Sequence, residues 1–188
     1  MIKSTKAFEE KLANLWIVVV SGIGVFALMT LLSKIDQRAT GGGANGILGL
    51  QFAFSAHVAR TIIRLWGPEG LALSAHTMWI DYIYALFYAT FLASTISYFC
   101  EIWNMFSQPA RVVFAVLPFF AAFLDYVENT LHLIVFSQFP NISGKFVFMA
   151  SVAATTKWII VGWSILVILY LIVYQMVKIA LSRWISEE

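Results

Sequence analysis

The sequence predicts an all-α integral membrane protein: a four-transmembrane-helix bundle with an interfacial amphipathic helix in its first loop. Three observations carry this. Hydrophobic residues make up 61% of the 188 and charged residues only 12%, about half the charged fraction of a soluble domain. Mean hydropathy is +0.83. Four apolar runs reach the roughly 20 residues that a helix needs to cross a bilayer, and together they fill one membrane domain over residues 1–188.

The first run, 12–33, has no charged residue. Lysines at 3, 6 and 11 precede it, as in a signal peptide, but the run is too long for a signal h-region and no small-residue cleavage site follows. It reads as an uncleaved first span. The loop after it opens with a glycine-rich linker, 41–46, which lacks the lysine and strand context of a phosphate-binding loop. Residues 52–66 come next, too short to span. Arg60 and Arg64 share one face with His57 beside them, and Phe52, Val58, Ile62, Ile63, Leu65 and Trp66 supply apolar surface. That pattern predicts a helix lying in the membrane interface and ending at Gly67-Pro68.

The second span, 71–100, holds one charge, Asp81; the third, 112–136, holds Asp125 and Glu128; the fourth, 146–177, holds Lys157. Pro118 marks a plausible kink in the third. Short connections make the last three spans antiparallel neighbours. An even number of spans puts both termini on one side, and the density of Lys and Arg favours the cytoplasmic side for them.

Asp125, Glu128, Asn129 and His132 recur at spacings of three and four, which sets all four on one helical face. A charge at membrane depth costs several kcal/mol or more, so such groups normally face a bundle interior or a cavity and mark function. Depth brings others to them. Call the side of the first and third loops the outer side. At 1.5 Å per residue, Asp125, Glu128 and His132 lie about 20, 15 and 9 Å below the outer end of their helix, Asp81 about 15 Å and Lys157 about 18 Å. Tyr84 and Tyr88 follow Asp81 on its own face, and Trp158 adjoins Lys157, where it can stack on a flat or cationic ligand. These positions predict a polar pocket in the outer half, lined by the second, third and fourth spans. A short echo, Asp81-Tyr82 against Asp125-Tyr126 in matching aromatic and aliphatic surroundings, links the second and third spans.

Three carboxylates face one lysine there, an excess of two negative charges when all are ionised. A proton, a divalent metal, a protonated His132 or a cationic ligand would offset it. In an enzyme, Asp125 or Glu128 would exchange the proton, Lys157 would stabilise developing negative charge, Asn129 would orient substrate and His132 would relay protons. Asp81, Tyr84, Tyr88, Asn129 and Trp158 are the expected ligand contacts. A metal reading would use Asp125, Glu128 and His132, with the i, i+4 pair on one ion, although no H-E-x-x-H motif is present. Serine nucleophiles lack a base partner and the G-x-S-x-G pattern. The structural alternative makes the same charges interhelical glue.

Some classes drop out. A net charge of +2 without a basic cluster gives no footprint for nucleic acid. Cys100 is the one cysteine, so no intrachain disulfide forms, and it reads as a small buried hydrophobe. The expected function is binding or processing a lipid-like small molecule in the buried pocket. A proton- or cation-coupled transporter or channel subunit, and a non-catalytic subunit of a larger membrane complex, are the alternatives. Membrane lipids are the expected partners, with a homo-oligomer or a larger complex as further possibilities.

Overall fold

The structure is a computed structural model that describes residues 2–186. Among the described residues it is helical, with no strand. Helix α1 (Ile2–Leu12) precedes α2 (Leu15–Thr40), and Ala13 and Asn14 separate them. Asn14 is extended, and its side chain accepts a hydrogen bond from the Trp16 amide at 2.8 Å, an ordinary N-cap. The sequence reading started the first span at residue 12 and had no helix before it. Instead α1 packs back on the bundle through Leu12 and Phe8, whose ring lies 5.6 Å from that of Phe119.

Helix α2 stops at Gly41, which takes the left-handed conformation (φ 82°) that a C-terminal glycine favours. Short helix α3 (Ile47–Gln51) follows. Asp36 joins the two, its Oδ1 accepting from the Thr40 hydroxyl at 2.8 Å and the Ile47 amide at 3.1 Å. Helix α4 (Ala56–Ile102) is bent at Gly67, whose φ of 66° and ψ of −178° are open essentially only to glycine. Pro68 then begins the second limb, where a missing N–H does no harm. Helices α5 (Gln108–Ser137) and α6 (Gly144–Ser186) complete the chain.

The segment expected to lie in the membrane interface differs from its expected bounds of 52–66. Phe54 has φ 51°, and Ser55 caps the helix by accepting from the Val58 amide, so the first limb of α4 covers 56–66. Its Ala59, Ile62, Ile63 and Trp66 are buried against Leu50, Val135 and Phe136, while His57, Val58, Arg64 and Leu65 stay exposed. Arg60 reaches across to the third loop and donates to the Pro140 carbonyl at 2.9 Å. Helix α5 runs unbroken through Pro118, which is buried.

Helices α2, α4, α5 and α6 are each long and apolar enough to cross a membrane. Buried Ala85, Ala89, Ala121 and Ala122 let α4 and α5 approach closely, as small residues do between apolar helices. Helix α2 packs on α4, and α6 packs on α5 and α4. No comparable packed face joins α2 to α6. The gap between those two helices holds the site.

Candidate functional site

The charged stripe of α5 meets its partners as the depth argument anticipates. Asp125, Glu128, Asn129, His132 and Lys157 are at most 4% exposed. Lys157 Nζ lies 2.6 Å from Asp125 Oδ1 and 2.5 Å from Glu128 Oε2. The i, i+3 spacing of the two acids on α5 lets one ammonium from α6 bridge both. Asn129, one turn beyond Asp125, donates from Nδ2 to Asp81 Oδ2 at 3.1 Å and so ties α5 to α4. His132 Nδ1 stands 3.8 Å from Glu128 Oε1, too far for a hydrogen bond, and its ring stacks on Phe136.

A cavity of about 250 Å³ opens beside this network. Asp81, Tyr84 and Tyr88 of α4, Asp125 of α5, and Lys157 and Trp158 of α6 line it. Val25 of α2 and Gln51 of α3 close it from the other side. A second cavity of about 330 Å³ adjoins it toward the outer end, sharing Gln51, Asp81, Tyr84 and Trp158 and adding Met29 and Asp36 of α2, Leu48 of α3 and Met78 of α4. Gln51 is buried, and its Oε1 accepts from the Trp158 indole N–H at 3.0 Å. Helix α3 is thereby fastened over the gap between α2 and α6.

The pocket therefore has more walls than expected. The sequence reading lined it with the second, third and fourth spans alone; α2 and α3 contribute as well. Gln51 and Asp36 were missed. Both fall in or beside a stretch that reads as linker, and no spacing rule connects them to Asp81. A third depression, about 400 Å³ on the outside of α2 and α4 between Trp16, Val20, Leu86 and Phe87, holds no ionisable group and lies away from the charges.

The expected site residues divide into two sets. Asp81, Tyr84, Tyr88, Asp125, Lys157 and Trp158 face the cavity; Glu128, Asn129 and His132 do not line it and sit behind, Glu128 and Asn129 in contact with the first set and His132 beside Glu128. Asn129, an expected ligand contact, donates to Asp81 and does not line the cavity. Glu128 reaches the cavity only through Lys157, and His132 only through Glu128. The metal reading of Asp125, Glu128 and His132 meets a physical obstacle: the Lys157 ammonium occupies the place between the carboxylates. Among the described residues, no three His, Cys, Asp or Glu side chains are placed to hold a metal ion. Trp79 is mostly exposed, packs on Tyr82 and does not line the cavity.

The Asp-Tyr echo has a spatial counterpart. Asp81 and Asp125 both line the cavity, and Tyr82 and Tyr126 pack edge to face at 5.1 Å across the α4–α5 seam.

Several polar atoms of the cluster remain unused. The hydroxyl of Tyr88, Oε1 of Glu128, Oδ1 of Asn129 and Nδ1 of His132 are buried without a hydrogen-bond partner among the described residues. The Tyr88 hydroxyl lies beside Asp125 but makes no hydrogen bond of ordinary length and angle with it. Buried polar atoms are rarely left so. Of these residues, Tyr88 alone lines the cavity. No protein-family model, curated protein or solved structure matches this chain.

Proposed function

We propose that this is a four-span membrane protein that binds or processes a lipid-like small molecule, its polar head at Asp81, Asp125 and Lys157. In this reading both termini lie on the cytoplasmic side and residues 56–66 rest along the outer interface. One observation carries it: a cavity with mostly apolar walls and an ionisable floor sits in the unpacked gap between α2 and α6. Ligand sites are typically apolar concavities with a few convergent polar groups. A gap between two spans also lets a hydrocarbon chain enter from the side while the head meets charge.

The reading as a non-catalytic subunit, with these charges as assembly glue, accounts for less. Lys157 satisfies Asp125 and Glu128 within one chain, so the triad is not a surface waiting for a second subunit. Glue also leaves Tyr88 and the cavity without a role.

The test is native mass spectrometry of protein released from nanodiscs, wild type beside Val25→Trp. The substitution fills the cavity from α2 without touching a charge. One defined small molecule bound one-to-one to the wild type, and missing from the variant, supports the reading. An empty wild type, or equal occupancy of both, overturns it.

A further inference from the structure

The ligand class follows from the charge balance of the walls, and the inference rests on the reading just proposed. Asp36, Asp81 and Asp125 line the two adjoining cavities against a single cation, Lys157. That cation is already shared between Asp125 and Glu128. Asp36 accepts from the Thr40 hydroxyl and the Ile47 amide, both neutral. The hydrogen bond to Asp81 comes from the neutral amide of Asn129. A neutral donor orients a carboxylate but supplies no countercharge, and an ionised group in apolar surroundings needs one.

Two further features point to a cation in that place. The Tyr88 hydroxyl, nine-tenths buried on the cavity wall, has no hydrogen-bond partner among the described residues. A hydroxyl oxygen accepts from an ammonium N–H. Tyr84, Phe91 and Trp158 add aromatic faces to the same wall, and such faces attract cations. Trp158 already shows the affinity, with Lys157 Nζ 5.6 Å from its ring centroid.

We propose that the cavity takes a single-chain amphiphile with a protonated amine head. The ammonium sits against the Asp81 carboxylate within reach of the Tyr88 hydroxyl, and the chain lies in the gap between α2 and α6. An anionic head would add to the negative charge of the ionised carboxylates. A neutral alcohol would supply them no countercharge.

Three photoreactive probes with identical alkyl chains, each carrying a diazirine, separate the possibilities: an amine, an alcohol and a carboxylate. Full-length protein in nanodiscs is labelled with each, and the modified peptides are mapped. The amine should label the peptides holding Val25 and Ile165 about tenfold or more above the other two, as a charge-assisted contact implies. Asp81→Asn should bring the amine down to the level of the alcohol. Tyr88→Phe, which removes only an unpartnered hydroxyl, should weaken amine labelling several-fold with unchanged thermal stability. That second variant decides the matter should Asp81→Asn fail to fold. Equal labelling by alcohol or carboxylate in the wild type overturns the amine assignment and leaves the lipid-site reading standing. Failure of all three probes to label the cavity overturns both.

Discussion

Lys157 on α6 donates to Asp125 on α5 at 2.6 Å, and neither side chain is more than 5% exposed. Thirty-two residues of sequence separate them, so the pair exists only because the two helices return past each other at matched depth. Glu128 completes a triad in which one ammonium serves two carboxylates. Removing one member of such a group leaves an uncompensated buried charge, whereas neutralising the whole group does not.

Lys157→Met should therefore lower stability by about 3–5 kcal/mol, the usual cost of breaking a buried pair. The triple variant Lys157→Met, Asp125→Asn, Glu128→Gln should recover most of that loss. Thermal unfolding in a mild detergent, followed by circular dichroism, compares the two. A triple variant no more stable than the single one would show that the triad is not a closed electrostatic unit.

Asn129 and Tyr88 separate holding the site together from serving a ligand. Asn129→Leu strips Asp81 of its only hydrogen-bond donor among the described residues and should cost about 1–3 kcal/mol, as for a buried polar group left unpaired. Tyr88→Phe removes a hydroxyl that makes no hydrogen bond of ordinary length and angle among the described residues, so its stability should stay within about 0.5 kcal/mol of wild type. The same unfolding experiment measures both. Comparable losses in the two variants would mean that the Tyr88 hydroxyl is anchored after all.

How much of this was readable beforehand follows from where each residue's partner lies in the sequence. Asp125, Glu128, Asn129 and His132 share one helix, so their common face followed from spacing alone. Asp81 and Lys157 came by counting residues down from helix ends, because rise per residue is fixed. The split between cavity-facing Asp125 and its three hidden neighbours was not readable, since it depends on how α4 and α6 lean on α5. Nor was the part played by α2: its apolar residues surround the whole helix and single out no inward face. Gln51 lies in a five-residue helix, too short for periodicity to mark. Its partner Trp158 is 107 positions away.

The bend that lays residues 56–66 over the bundle depends on Gly67. Its φ of 66° and ψ of −178° differ from the left-handed helical geometry of Gly41, at φ 82° and ψ −3°. Asparagine is tolerated at a left-handed helix end but not in the region Gly67 occupies. Gly67→Asn should cost about 1–3 kcal/mol, the strain of a side chain held there, and Gly41→Asn clearly less. Melting temperatures of the two variants side by side provide the check. Similar small losses would mean that the bend relaxes to another geometry.

Two helical glycines should respond in opposite directions. A Cβ on Gly24 of α2 would run into the Phe87 ring of α4, while one on Gly162 of α6 would meet nothing within 4 Å. Gly162→Ala should be neutral or stabilising by up to about 1 kcal/mol, because alanine loses less backbone freedom in a helix. Gly24→Ala forces α2 and Phe87 apart and should cost about 1–3 kcal/mol, the range for overpacking. Neighbouring Val25 lines the cavity, so the displacement should also weaken retention of the small molecule proposed to bind there. Trimming the obstacle in the double variant Gly24→Ala, Phe87→Leu should restore stability and retention together, read by unfolding and by native mass spectrometry of the same samples. Recovered stability with retention still lost would mean that the Gly24–Phe87 contact holds α2 against α4 but does not set the shape of the cavity wall.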